Sequence, residues 1–287
     1  MTAEIINGNI IAGIIKKKVV EDIHYLSDSE GIIPRVATIM AGNSHESKLY
    51  MNLRKKTCHT VGIDTVETML PEHISETDFL NIIKKYNDDD KVHGVLIQLP
   101  LPAHLSFDTI IEALHPLKDV EGLNPFNMGK MMLGDETLVP CTPLAVIRIL
   151  EHINIDLKGK HVVIVNHSVI VGKPLTMLCL NRNATVTVCH VFTDTLESYT
   201  KNADILITAA GVPNLITKNH VKSDSCVIDV SIIKTDEGLC GDTSFDEVKE
   251  LAAFITPVPG GVGPITVACA LENIVRTVKY ARKEIVK

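Results

Sequence analysis

The sequence has no tryptophan, and aromatic residues make up only 4% of its 287 positions. Its core must therefore be assembled from Ile, Val, Leu, Met and Ala. It also has no apolar run near the roughly 20 residues that cross a bilayer. The opening stretch MTAEIINGNIIAGIIKKKVV lacks the basic-then-apolar order of a secretory signal, so neither a membrane nor an export route is expected. Positive charge is not in excess: the net charge of −7 favours solubility and gives no footing for nucleic-acid binding. The lysines at 16–18 read as a solvated helix face. Paired-cysteine spacing is missing too. Cys58, Cys141, Cys179, Cys189, Cys226, Cys240 and Cys269 stand singly, an odd count without a CxxC. They read as reduced core thiols of a cytoplasmic protein. The histidines are scattered, and no metal site is expected.

What is present is a full globular composition, 45% apolar and 22% charged, in a chain that suits two domains. Apolar residues at helical spacing run from about Ile10 to Leu26, and Pro34 breaks them. RVATIMAG and GIDTVETML read as strands on either side of a helix that carries Tyr50 and Arg54. Those two are four residues apart and share a face. SETDFLNIIKKYNDD opens like a helix capped by Ser75, and HGVLIQLPLP is a strand closed by prolines. Alternating strand and helix implies a parallel sheet. The stretch HPLKDVEGLNPFNMGKMMLGDETLVPCTP reads as a long, mostly irregular functional loop. The alternation restarts at TPLAVIRILEHINI, and a glycine-rich loop with one long amphipathic helix ends the chain.

VVIVNHSVIVGKPLTMLC sits where a dinucleotide-binding fold places its first strand, phosphate loop and helix. Yet the G-x-G-x-x-G fingerprint is absent. Asn166 and Ser168 stand at glycine positions, and only Gly172 remains of the spacing. Asn166 is expected to make the turn because asparagine tolerates positive φ. Ser168 offers a hydroxyl to a phosphate, and Gly172 lets loop and helix approach. No acid closes the next strand, ATVTVCHVFT, where a carboxylate would bind a ribose diol. NADP is thereby admissible with NAD not excluded; Val191 has no charge for a 2′-phosphate, whereas His167 has a suitable ring. By itself this pattern is equally that of any strand–turn–helix.

Eight stretches in order settle more. SKLYMNLRKK, GVLIQLPLP, KDVEGLNPFNMG, PCTP, NHSVIVGKP, TVTVCH, GDTSF and ITPVPGGVGPITVACALEN together resemble the methylenetetrahydrofolate dehydrogenase/cyclohydrolase family over essentially the whole chain. The resemblance implies a two-domain α/β enzyme. Residues 1–145, completed by 268–287, would form the folate-binding domain, and 146–267 a Rossmann-type NAD(P)-binding domain. It implies a homodimer with folate and nicotinamide meeting between domains, and a role in one-carbon metabolism that supports purine biosynthesis. On this match Tyr50 stacks on the folate, Gln98 bonds to the catalytic amine, and the carboxylate of Glu121 takes the pterin N–H groups. Ile97, Leu99, Pro259, Gly260, Gly261, Val262 and Gly263 complete the substrate site. Asn166, His167, Ser168, Gly172, Val191 and Ile232 serve the cofactor.

Several positions depart from the family pattern. Arg54 stands where the family has lysine. Hydration of the methenyl carbon needs a group that takes and returns protons, and an arginine side chain stays charged. Hydride transfer needs no such base, so dehydrogenase activity is expected to survive while cyclohydrolase activity is weakened or lost. Lys55 is a poor substitute, being turned about 100° around the helix. Glu121 replaces aspartate, keeping the carboxylate but moving it by about 1.5 Å; with the longer Arg54 it reads as a compensating pair. Asn166 and Ser231 replace glycines at strand ends and are expected to narrow the pocket or weaken cofactor binding. The alternatives are a monofunctional dehydrogenase and a folate- or nucleotide-binding homologue without catalysis. A shikimate-type dehydrogenase would need a Lys–Asp pair, and the adjacent Lys118 and Asp119 should diverge.

Overall fold

The computed structural model describes residues 2–285, with backbone alone for 45–47, 49, 50 and 282–285. The chain runs through β1 (Glu4–Ile5), α1 (Gly8–Glu30), β2 (Arg35–Ala41), α2 (His45–Val61), β3 (Asp64–Leu70), α3 (Glu76–Asn87) and β4 (Gly94–Ile97). Helices α4 (Phe107–Ala113), α5 (Pro125–Met132) and α6 (Cys141–His152) follow. Alternation resumes with β5 (His161–Val165), α7 (Gly172–Leu180), β6 (Thr185–Cys189), α8 (Leu196–Thr200), β7 (Ile205–Thr208) and β8 (Cys226–Asp229). A hairpin of β9 (Ile233–Thr235) and β10 (Gly238–Cys240) precedes α9 (Phe245–Val248), β11 (Phe254–Ile255) and α10 (Val262–Ile285).

These elements form two compact units, 1–14 with 140–269 and 15–139 with 270–287. The first 14 residues thus fall with the second sheet, and not with the residues that follow them as the sequence suggested. The cause is β1, which pairs in parallel with β11 through Glu4–Phe254 and Ile5–Ile255. Two paired residues are too few to leave a periodic signal.

The unit of 15–139 has a parallel sheet in the order β3-β2-β4. Ser75 caps α3 as expected, its hydroxyl accepting the Asp78 N–H at 3.1 Å. Phe79, Ile83 and Tyr86 recur at helical spacing and bury that face of α3 in a cluster with Ala37, Ile39, Val95 and Ile97. Each such side chain contributes about 1.5–3 kcal/mol on burial. The supposedly irregular stretch contains a helix, α5, started by Asn124, whose Oδ1 accepts the Phe126 N–H at 2.9 Å, and by Pro125 at its first position. Asn273 of α10, fully buried, donates to the carbonyls of Val120 and Val139, both at 2.9 Å. The terminal helix therefore anchors the segment that carries Glu121.

The other unit has a six-stranded sheet, β1-β11-β8-β7-β5-β6, parallel at every pairing. Strand β5, between β7 and β6, is a β-branched run with Val162–Val165 buried, as a strand covered on both faces requires. From β5 the chain crosses to β6 on one side and then to β7 on the other. That reversal makes a crevice at the carboxyl ends of β5 and β7, the place where doubly wound sheets bind ligands.

None of the seven cysteines forms a disulfide, and six of them are buried. Burial pushes the thiols of Cys58 and Cys226 up to about 11 and about 12. A thiol-specific chromophore is expected to react promptly with half-buried Cys240 alone and to reach all seven only in denaturant. Prompt reaction of several thiols in the native protein would contradict this packing. Among the described residues no helix is long and apolar enough to cross a membrane, and no group of three His, Cys, Asp or Glu side chains is placed to hold a metal.

Candidate active site

In the unit of 15–139 the candidate residues come from α2, the end of β4 and the loop before α5. Arg54 is only 8% exposed, so its position on α2 is not a solvated surface. Its Nη2 lies 3.8 Å from Glu121 Oε1, an ion pair whose side chains are 9% and 27% exposed. The two departures from the family pattern therefore meet in space. Lys55 points away, bonding Glu67 at 2.8 Å. Gln98 lies just past β4, with Nε2 donating to the Leu99 carbonyl at 2.9 Å. Its Oε1 is buried without a hydrogen-bond partner. An orphaned acceptor of this kind costs about 1–3 kcal/mol unless a ligand donor meets it. Ile97 is buried and Leu99 half-buried beside it. The backbone of Tyr50 lies in α2 one turn before Arg54; its side chain, and so its expected stacking role, lies outside the described residues.

The sequence reading missed the residue that shapes this loop. Asp119 is 1% exposed and accepts the N–H groups of Gly122 at 2.9 Å and Asn124 at 2.8 Å. The Asn127 amide also donates to it, at 3.0 Å. Burial pushes its carboxyl up, against the pull of these bonds. Glu121 projects from the turn that Asp119 closes. The local pattern D-x-x-G-x-N carried that signal, since an Asp side chain often binds N–H groups a few residues on. Lys118 turns the opposite way, donating to the carbonyls of Tyr86, Asn87 and Asp89. The adjacent pair diverges as expected.

In the six-stranded unit, Val165, Cys189, Thr208 and Asp229 stand in register, so the residues after them share one edge of the sheet. Asn166 does not make its turn with positive φ, as the sequence suggested; it is not among the residues in that region. It works through its carboxamide instead. Oδ1 accepts the N–H groups of Ser168 at 2.7 Å and Gly172 at 3.0 Å, while Nδ2 donates to the Ala209 carbonyl at 2.6 Å. Ser168 Oγ accepts the Val171 N–H at 3.1 Å. Gly172 is obligatory here: a Cβ on it would lie 2.1 Å from the Asn166 carbonyl oxygen. His167 packs its ring against His190, centroids 4.8 Å apart. Nδ1 of His190 accepts the Phe192 N–H at 3.2 Å, which leaves its Nε2 as the protonated nitrogen of the neutral ring. Val191 and Ile232 are 83% and 60% exposed.

The loop after β7 is pinned from beneath. Asp242, fully buried, accepts from Thr208 Oγ1 at 2.5 Å and from the N–H groups of Ala210 at 2.6 Å and Val212 at 2.9 Å. Ser231 Oγ accepts the Gly211 N–H at 3.1 Å. Burial, with Asp242 close by, pushes the Asp229 carboxyl up. The Ser231 side chain is thus used in holding this loop. In the same unit Pro259–Gly263 wraps the start of α1: Gly8 donates to the Gly260 carbonyl at 2.8 Å. A Cβ on Gly8 would lie 1.7 Å from the Gly261 carbonyl oxygen.

Two family models match this chain. Residues 6–121 match the catalytic domain of tetrahydrofolate dehydrogenase/cyclohydrolase, and 140–282 its NAD(P)-binding domain. The chain belongs to this family. Among tetrahydrofolate dehydrogenase/cyclohydrolase relatives, a bifunctional protein FolD of Methanosarcina barkeri is 48% identical over 272 residues, 95% of each chain. The crystal structure of the bifunctional enzyme FolD from Campylobacter jejuni superposes with a TM-score of 0.95 at 41% identity, covering 97% of this chain and 99% of that one. A Trypanosoma brucei FolD, solved with NADP cofactor and inhibitor, superposes at 0.93 with 32% identity, covering 98% and 99%. The two-domain α/β expectation and the family resemblance both hold. The NAD(P)-binding assignment suits the six-stranded unit, whose strand β5, close-wrapped loop and helix α7 fit a dinucleotide.

Proposed function

We propose that this protein oxidises 5,10-methylenetetrahydrofolate to the 5,10-methenyl cation with NADP, and that its hydrolysis of that cation to 10-formyltetrahydrofolate is weak. The single observation behind this reading is the buried Arg54–Glu121 pair, 3.8 Å apart. The bound nicotinamide supplies a hydride acceptor. The folate's own nitrogen lone pairs stabilise the cation left behind, so this step asks no side chain for a proton. Glu121 takes the pterin N–H groups and offsets the positive charge of Arg54, which alone would disfavour a cation nearby. Gln98 offers its buried Oε1 to a donor of the substrate site. Water that attacks the methenyl carbon must then lose a proton, and arginine does not relay one.

The domain roles follow the same reading: folate on the unit of 15–139 and 270–287, nucleotide on the other. His167, Ser168 and Gly172 serve the nucleotide. NADP is favoured because no carboxylate closes β6 and two imidazoles lie there. A homodimer in the cytoplasm, supplying one-carbon units for purine biosynthesis, completes the proposal on the strength of the family likeness and of cysteines that form no disulfide.

The experiment mixes purified protein with 5,10-methylenetetrahydrofolate and NADP, then NAD, and follows reduced nicotinamide and methenyl absorbance together. Nicotinamide is expected to be reduced while methenyl product accumulates and decays no faster than in buffer. Reduction of neither nucleotide sinks the dehydrogenase reading. Methenyl consumption as fast as its formation sinks the claim about Arg54.

A further inference from the structure

We infer that the Asn166 side chain occupies the anion cradle of the nucleotide loop, so that this protein grips a dinucleotide's pyrophosphate less tightly than it would with glycine at 166. The inference rests on the nucleotide-binding reading above. A dinucleotide fold presents backbone N–H groups of the turn after its first strand, and the N-terminus of the following helix, to the pyrophosphate. Glycines in the turn leave that space open. Here the space holds a carboxamide oxygen.

Oδ1 of Asn166 takes the N–H of Ser168 at 2.7 Å and that of Gly172, the first residue of the nine-residue helix α7, at 3.0 Å. It carries partial negative charge and receives donors that a phosphate oxygen would use. A third N–H, that of Val171, is taken by Ser168 Oγ at 3.1 Å. Only one orientation of the amide satisfies its surroundings, because the same group donates through Nδ2 to the Ala209 carbonyl at 2.6 Å. The missing Cβ of Gly172 lets the loop wrap this closely; a Cβ there would lie 2.8 Å from Oδ1. To give these donors to a phosphate, the side chain must swing out and surrender three hydrogen bonds, each with a modest net value. Asn166 is therefore an affinity-setting residue, and it acts by competing with the ligand for the loop.

Calorimetric titration of the full-length protein with NADP tests this, beside Asn166→Gly, Asn166→Ala and Asn166→Asp. Asn166→Ala keeps the Cβ and removes the amide, so it separates the carboxamide from backbone freedom. Both Asn166→Gly and Asn166→Ala are expected to lower the NADP Kd about tenfold, equivalent to about 1.4 kcal/mol. Asn166→Asp is expected to raise it, since a carboxylate in the cradle repels the phosphates. Adenosine 2′-monophosphate, which has no pyrophosphate, is expected to bind all four proteins equally. Thermal melting without nucleotide checks that each variant is folded, and any that is not is replaced by the other neutral substitution. Unchanged or weaker NADP binding by the folded Gly and Ala variants overturns the inference and leaves the nucleotide reading standing. Absence of NADP and NAD binding to every form overturns the nucleotide reading itself.

Discussion

Replacing Arg54 by lysine is expected to raise methenyltetrahydrofolate hydrolysis about a hundredfold, the lower end of what a placed acid–base group contributes. Hydride transfer is expected to change by less than about threefold, because that step leaves no proton for the residue to carry. The reason lies in the pair. Arg54 is held 3.8 Å from Glu121 in a setting that is 9% and 27% exposed, so a lysine there enters a prepared, largely water-poor position beside a carboxylate. Glu121 reaches farther than an aspartate would, and the substituted lysine reaches less far than Arg54 does. Combining Arg54→Lys with Glu121→Asp is therefore expected to separate the two charges. The double variant should raise the KM for methylenetetrahydrofolate more than Arg54→Lys alone does. Stopped-flow decay of methenyl absorbance, beside nicotinamide reduction in the same sample, reads both steps. If Arg54→Lys hydrolyses no faster than the parent, the missing relay is not at position 54.

The second large effect concerns Asp119. Its carboxylate serves the N–H groups of Gly122 and Asn124 and the amide of Asn127, all in a buried turn. Asp119→Ala orphans those donors, and unfolding is expected to become easier by about 4 kcal/mol, at about 1–3 kcal/mol for each stranded group less what relaxation recovers. In a chain of this size that corresponds to a fall of about 10 °C in Tm. Asp119→Asn keeps one acceptor oxygen and should lose less. Burial raises the Asp119 carboxyl above its unfolded value. The folded state therefore holds the proton more tightly, and the stability tied to it is present below the unfolded pKa and lost as pH rises through the folded one. Across that window the parent should gain on Asp119→Asn as the pH falls, a difference readable by urea titration at several pH values. A pH-independent difference would show that the carboxyl titrates alike in both states.

Much of the scaffold is legible in the residues. Val162–Val165 can only be a strand buried on both faces, Ser75 announces the start of α3, and the apolar spacing after Pro264 continues as α10 to Ile285. What escaped reading is set by partners distant in the chain. β1 and β11 are two residues each, too short for a period, and exist because they pair with each other and with β8. Helix α5 hides in a glycine- and proline-rich stretch because its cap, Asn124, also reads as a turn residue. Asp242 could not be singled out, since Thr208, Ala210 and Val212 lie 30 or more residues before it. Asn166 was noticed for the wrong property. Asparagine's tolerance of positive φ is unused, and its short amide, able to accept and donate at once, is what the loop employs.

The borders between the two units fall at 14/15, 139/140 and 269/270, the first inside α1 and the last inside α10. Neither unit is a continuous length of chain. As the polypeptide leaves the ribosome, β1 emerges long before β11 exists to receive it. The sheet of 15–139 likewise waits for Asn273 before the carbonyls of Val120 and Val139 are met. Vectorial synthesis therefore cannot finish one half while the other is being made, and both complete only when the final helix is released. Cutting the gene at the sheet boundary would give two fragments, each missing a piece held by the other.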